Sequence, residues 1–268
     1  MGDMQKTCLI TGAGRHNGKI MALRMAKAGY RVAIHHSGQD PESADQTLQM
    51  IRSQGGDGFL IVEDLSRPGA AGRLFDQVEE KMDHLDVFIN NAGVTLGGPI
   101  EKLSEETFDK LVSIDYRAAV FCVQKAADFM IRTGTKGLIV IISSNHHERI
   151  FPGGALYGST KEALCRFTKY AGLEYIRWGI HVNCLAPGWI DWEEEMGDRK
   201  FKQPDIENHQ IPAHRFVKSS DLADWVTFMA GPSGASLVGQ TINLDGGASL
   251  LGPGMADFGL DRQIEIGR

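Results

Sequence analysis

Thr7-Cys8-Leu9-Ile10-Thr11-Gly12-Ala13-Gly14-Arg15-His16-Asn17-Gly18, followed by the stretch Lys19 to Ala28, decides the fold. An apolar run of β character turns within a few glycine-rich residues into a run of helical periodicity. Such a turn aims unpaired backbone N–H groups and the positive end of a helix dipole at one point, and glycines let a ligand close on the backbone. A pyrophosphate fits there. A glycine-rich turn alone is a weak signal, and its place between the first strand and the first helix gives it weight.

Outward from this turn the pattern repeats. Strands are predicted at Lys6 to Ile10, Arg31 to His35, Gly58 to Glu63, Asp86 to Asn90, Gly137 to Ser143, Ile180 to Ala186 and Thr241 to Leu244. Helices are predicted at Gly18 to Ala28, Pro41 to Ser53, Pro68 to Lys81, Ser104 to Arg132, Leu156 to Trp178 and Ser219 to Ala230. Ser104 with Glu105 and Glu106, and Ser220 with Asp221, supply capping groups and early acids at two helix starts. Strands that alternate with helices in this way predict an α/β fold of Rossmann-like type: a doubly wound, seven-stranded parallel sheet with helices on both faces. No linker or composition shift divides residues 1–268, so one domain is expected. Residues 188–216 break the alternation and predict a substrate loop, and residues 248–268 read as a C-terminal tail.

Composition narrows the function. With 42% hydrophobic and 23% charged residues and a net charge of -6, the chain is globular and lacks the basic field that nucleic acid requires. The longest aliphatic run, Leu138 to Ile142, is far short of the roughly 20 residues that span a bilayer. The first strand comes too early for a secretory signal, which predicts a cytoplasmic location. Cys8, Cys122, Cys165 and Cys184 are widely separated and sit among apolar neighbours, so buried free thiols are expected, with no metal site.

Tyr157-Gly158-Ser159-Thr160-Lys161 opens the helix after the fifth strand and puts a phenol and an ammonium on one helical face. A phenol with a pKa near 10 is a poor base at neutral pH, and a neighbouring cation stabilises its ionised form. The pair suits general acid/base work. Ser144, at the end of the fifth strand, adds a hydroxyl able to hydrogen-bond a substrate oxygen as its charge changes.

In their order along the chain these motifs resemble the short-chain dehydrogenase/reductase family over about residues 6–247. The resemblance implies hydride transfer between a nicotinamide cofactor and a secondary alcohol or ketone. Ser144 would orient the substrate oxygen, Tyr157 would pass the proton, and Lys161 would assist Tyr157 and bind the nicotinamide ribose. The family's fourth catalytic position, normally asparagine, is Asp115 here. Gly12, Gly14, Arg15, His16, Asn17 and Gly18 would hold the pyrophosphate, with His16 in place of the family's middle glycine and Asn17 in place of an aliphatic residue. Asp64 and Leu65 would meet the adenine, and Asn91, Ala92 and Gly93 would shape the cleft. Pro187, Gly188 and Ile190 would border the nicotinamide, and Asp191 takes the approximate place of the family's threonine.

At the end of the second strand an acid would bind ribose hydroxyls. His35, His36 and Ser37 stand there instead, and with Arg15 in the turn NADP is favoured over NAD. The partner is expected to be a small alcohol or carbonyl compound of polyol, sugar or 3-oxoacyl type. Trp189 and Trp192 could stack on it, and His146, His147 and Arg149 could line the pocket beside Ser144. The resemblance also implies a homo-oligomer, a tetramer or dimer. Two other readings keep the fold: a dehalogenase- or lyase-like protein without redox chemistry, and a noncatalytic nucleotide sensor. Retention of Lys161 beside Tyr157 speaks against the first while His16 and Asn17 speak for it, and the second would not need an intact Ser144, Tyr157 and Lys161 set.

Overall fold

The computed structural model describes residues 5–191 and 211–251. Seven strands, β1 (Thr7–Ile10), β2 (Arg31–His36), β3 (Gly58–Val62), β4 (Val87–Asn90), β5 (Leu138–Ile142), β6 (His181–Pro187) and β7 (Thr241–Leu244), form one sheet in the order β3-β2-β1-β4-β5-β6-β7. Every pairing is parallel. The strands are short aliphatic runs because helices cover both faces: all five residues of β5 and all four of β1 and β4 are buried.

The helices are α1 (His16–Lys27), α2 (Pro41–Ser53), α3 (Ala70–Glu79), α4 (Glu105–Leu111), α5 (Ala119–Thr133), α6 (Ala155–Tyr175) and α7 (Ser219–Ala230). On one face α3, α5 and α6 bury Leu74, Phe75, Cys122, Met130 and Leu164 against Leu9, Phe88 and Ile139. On the other, α1, α2 and α7 bury Met21, Met25, Ile51, Leu222 and Val226 against Ile10, Val32, Ile34 and Val140. Side chains of this size each contribute about 1.5–3 kcal/mol when fully buried.

Local signals account for the helix starts. Pro41 sits in the first turn of α2 and the Asp40 carboxylate accepts from Ser43 N at 3.2 Å. Ser104 Oγ accepts from Thr107 N at 3.1 Å at the start of α4. α7 begins at Ser219 as expected, but its cap is Lys218 rather than Ser220: the Asp221 carboxylate accepts from the Lys218 N–H at 3.0 Å.

The helix expected over Ser104 to Arg132 is interrupted. Between α4 and α5, residues Val112–Ala118 form a π-helical segment, whose apolar spacing in sequence is hard to tell from α periodicity. The chain order reverses between β1 and β4, which opens a crevice beyond their carboxyl ends. That crevice positions the site.

Candidate active site

The turn after β1 is built backbone first. Gly12 has φ +65°, and a Cβ on Gly18 would lie 2.1 Å from the Gly12 carbonyl oxygen, so Gly18 admits no side chain. Thr11 latches the turn to the end of β4: its hydroxyl accepts from Asn91 N at 2.9 Å and Ala92 N at 3.0 Å. In return the Asn91 amide donates to Thr11 O at 2.9 Å and Gly12 O at 3.2 Å. The start of α1 carries no side-chain cap and no acidic residue in its first turn. An uncapped helix start with tightly packed glycines fits an anionic pyrophosphate.

The two departures in this turn have a structural account. His16 has φ +50°, the left-handed region that glycine enters without strain, so the imidazole is carried on a backbone shaped for glycine. Asn17 turns toward α7, where its Oδ1 accepts from the Ser219 hydroxyl at 2.7 Å. A third residue, His35, read in sequence only as part of a strand end, is buried and braces the turn. Its Nδ1 accepts from Gly12 N at 3.1 Å and its Nε2 donates to Glu63 O at 2.9 Å. Burial pushes His35 down to about 4, so it works as a neutral ring.

Around the expected adenosine end, the buried His36 ring is also held below the usual histidine range by burial. Ser37 is exposed, and Arg15 pairs with Asp40 at 3.8 Å on the surface. The Asp64 carboxylate accepts from Ser66 Oγ at 2.7 Å and Ser66 N at 3.0 Å, while Leu65 is buried.

The proton-transfer corner draws on three elements. Ser144 follows β5, and its Oγ accepts from His146 N at 3.3 Å, leaving its own hydroxyl hydrogen to donate elsewhere. Tyr157 lies in the first turn of α6, with Lys161 one turn on and its Nζ 5.3 Å from the phenol ring centroid. Asp115, in the π-helical segment, has a side chain 0% exposed; its Oδ2 lies 3.0 Å from Lys161 Nζ and its Oδ1 accepts from Val94 N at 2.7 Å. Burial alone would depress the Lys161 ammonium. The Asp115 carboxylate, with a smaller contribution from Tyr157, outweighs it and holds Lys161 above its ordinary value. Gly93 closes over this pair: a Cβ there would come within 2.9 Å of Asp115 Oδ2 and 3.4 Å of Lys161 Nζ.

The strap that borders this corner is pinned at both ends. Gly188 N donates to Leu244 O at 2.9 Å, and a Cβ on Gly188 would meet Asp245 at 2.7 Å. Ile190 forms a parallel bridge with Val217, and Asp191 N donates to Val217 O at 2.9 Å. An aromatic wall stands beside Tyr157. His146 meets the phenol edge-on at 5.1 Å and stacks on Phe151 at 4.1 Å, Phe151 meets Trp189 edge-on at 5.4 Å, and Arg149 covers Phe151 and Trp189. Phe151 is a member of the wall that the sequence reading missed. His147 does not join it. It turns to the other side of α6, with Nε2 2.8 Å from Asn243 Oδ1 and Nδ1 3.3 Å from Glu162. Trp192, most of the predicted substrate loop and the tail from residue 252 lie outside the described residues.

A family model described as Enoyl-(Acyl carrier protein) reductase matches residues 12–249. The 3-oxoacyl-(acyl-carrier-protein) reductase FabG of Staphylococcus aureus is 33% identical over 246 residues, covering 91% of this chain and 98% of that protein. The chain is a short-chain dehydrogenase/reductase. Among solved structures, an acetoin dehydrogenase from Enterobacter cloacae superimposes with a TM-score of 0.86 at 28% identity, covering 94% of this chain and 99% of the other. A short-chain dehydrogenase from Burkholderia cenocepacia, solved in complex with NADP, gives 0.83 at 30% identity, covering 91% and 97%. This short-chain dehydrogenase/reductase is an NAD(P)-dependent oxidoreductase, as its motif order implies. Among the described residues no helix is long and apolar enough to cross a membrane.

Proposed function

We propose that this chain is an NADP-dependent reductase of small ketones of 3-oxoacyl type, with Ser144, Tyr157 and Lys161 as its catalytic residues. The observation that carries the reading is the corner itself: a buried ammonium one helical turn from a phenol, beside a serine hydroxyl that is free to donate. The S. aureus relative supports the substrate class and the B. cenocepacia complex supports the cofactor. No acid stands at the end of β2, and Arg15 lies on the edge of the turn.

Gly12, Gly14, Arg15, His16, Asn17 and Gly18 hold the pyrophosphate, chiefly through backbone N–H groups. His36 and Ser37 flank the adenosine ribose, and Asp64 and Leu65 the adenine. Asn91, Ala92 and Gly93 shape the cleft, while Pro187, Gly188 and Ile190 border the nicotinamide. When bound, the nicotinamide supplies the hydride. Ser144 Oγ donates to the substrate oxygen and fixes the carbonyl, Tyr157 gives its phenolic proton to that oxygen as negative charge builds, and Lys161 supports the charge left on the phenol. Asp115 is a positioning residue that anchors Lys161 and shields its charge. The wall of His146, Phe151 and Trp189 excludes water and packs the substrate's apolar part.

Exposed Phe121 on α5 and exposed Tyr170 and Leu173 on α6 support a homo-oligomer, a dimer or tetramer. A cytoplasmic location agrees with the scattered cysteines.

The test is nicotinamide oxidation by the purified protein with a 3-oxoacyl thioester, compared with acetoin and with a polyol in the reverse direction. Turnover of the thioester with NADPH is expected. Turnover of none of the three overturns the reading, and turnover of the polyol alone reassigns the substrate.

A further inference from the structure

The Asp115–Lys161 pair sets the charge of the corner as well as its shape. The Asp115 side chain is 0% exposed and that of Lys161 6%, with Oδ2 3.0 Å from Nζ, and Oδ1 accepts from Val94 N at 2.7 Å. Water is kept from both charges, so each acts on its neighbours with little screening. The Tyr157 phenol is such a neighbour, its ring centroid 5.3 Å from the same Nζ.

The other titratable groups that face this corner are uncharged at neutral pH. Cys184, on β6, is held well above the ordinary thiol range by Cys165 and by burial. His146, edge-on to the phenol, is held below the ordinary histidine range by burial. On the β4 side Gly93 and Val94 close the corner and bring no titratable side chain. Among the described residues this leaves Asp115 as the anion that faces the ammonium.

We propose, resting on the reductase reading, that Asp115 sets the pH range of the reaction: as a positioning residue it keeps two protons on the Tyr157–Lys161 pair, so the corner holds the proton a ketone needs well into alkaline solution.

Charge counting gives the reason. With phenol and ammonium both protonated, the Asp115 carboxylate makes the corner neutral, and loss of either proton leaves a net negative charge away from water. With asparagine in its place the doubly protonated pair carries a net positive charge, and loss of one proton makes it neutral. Burial opposes net charge, so the carboxylate retains the second proton and the amide releases it. Phenol and ammonium lie one helical turn apart and titrate together, so that proton belongs to the pair. The same balance shows in Lys161, which burial alone would depress and which the Asp115 carboxylate holds above its ordinary value. Each ketone reduced takes one proton from the pair, and one proton from solvent restores it.

The test titrates ultraviolet phenolate absorbance in the full chain and in Asp115→Asn, which keeps the shape of the side chain, with Tyr157→Phe as the blank. In the wild-type chain the Tyr157-dependent signal is expected only above about pH 9, and in Asp115→Asn it moves down by about 1–2 pH units. The alkaline limb of kcat/KM for ketone reduction and the acid limb for alcohol oxidation move down by the same amount, because both directions use one proton. A merely structural role would lower the rate at every pH and leave the limbs and the phenolate signal in place, and that result overturns the proposal. Should Asp115→Asn fail to fold, the wild-type titration decides alone: a Tyr157-dependent signal below about pH 9 overturns the proposal, and its absence there supports it. The phenolate titration needs neither cofactor nor substrate, so its failure is distinguishable from failure of the reductase reading.

Discussion

The turn after β1 and the corner around Lys161 both depart from the family pattern, and the structure absorbs the two departures by different means. In the turn the working groups are backbone N–H groups, and the replaced positions contribute only side chains. His16 therefore costs conformational energy at φ +50° without removing a donor, and Asn17 finds a partner in Ser219. In the corner the working groups are the side chains themselves. Asp115 in place of asparagine puts a charge where nothing is exposed, and it is accommodated because Lys161 lies 3.0 Å away. A backbone site tolerates new side chains, whereas a side-chain site tolerates a new charge only beside its counter-charge.

The sharpest break between the two regions is Tyr157→Phe. It is expected to lower kcat by about a thousandfold, within the range for loss of a general acid, and to leave cofactor affinity within about threefold. Steady-state rates and nicotinamide fluorescence titrations check the two halves separately. A parallel fall in both would place Tyr157 in binding rather than proton transfer.

Next comes Asp115→Ala, which leaves the buried Lys161 ammonium without its carboxylate. Stability is expected to fall by about 3 kcal/mol, read by urea unfolding. A loss below about 1 kcal/mol would mean that the pair does not hold the corner together.

The turn has its own signature in acid. His35 titrates near 4 in the folded chain and near 6.5 unfolded, so between these values the unfolded state binds the extra proton. Its contribution is complete above pH 6.5 and is lost as pH falls toward 4, amounting to about 3 kcal/mol spread over the window. His16, His36 and His146 are lowered as well and act in the same direction, so a His35→Gln comparison isolates the one ring. Equal acid sensitivity in that variant would remove His35 as the brace.

The smallest effect is His16→Gly. Release of the left-handed strain is expected to offset the added freedom of the unfolded chain and to move stability by no more than about 1 kcal/mol, while pyrophosphate binding persists. A large loss of affinity would show that the imidazole itself contacts the ligand.

The fold was legible because period and punctuation agree: each strand is an aliphatic run between turn residues, and Pro41 and Ser104 mark helix starts as they should. The π-helical segment was not, since Val112 to Ala118 carries the same apolar spacing as the helices on either side. At the proposed site, the placement of Gly12 and Gly18 in the turn and of Ser144, Tyr157 and Lys161 around one corner was readable from spacing, because it follows from position on one strand end or one helix face. The Asp115–Lys161 pair, the His35 brace, Phe151 in the aromatic wall and the turning away of His147 were not, because each depends on how separate elements pack. A doubled histidine at the end of β2 was the one available hint for His35, since the inward-facing ring of such a pair needs a polar partner.

The most direct test of the account is titration of the purified chain with NADPH and, separately, NADH, followed by nicotinamide fluorescence. Saturable binding of both is expected, with NADPH the tighter, and with affinities within about threefold of these in Tyr157→Phe. Binding of neither by a folded protein would contradict it, because the turn carrying His16 and Asn17 would then be closed to the dinucleotide.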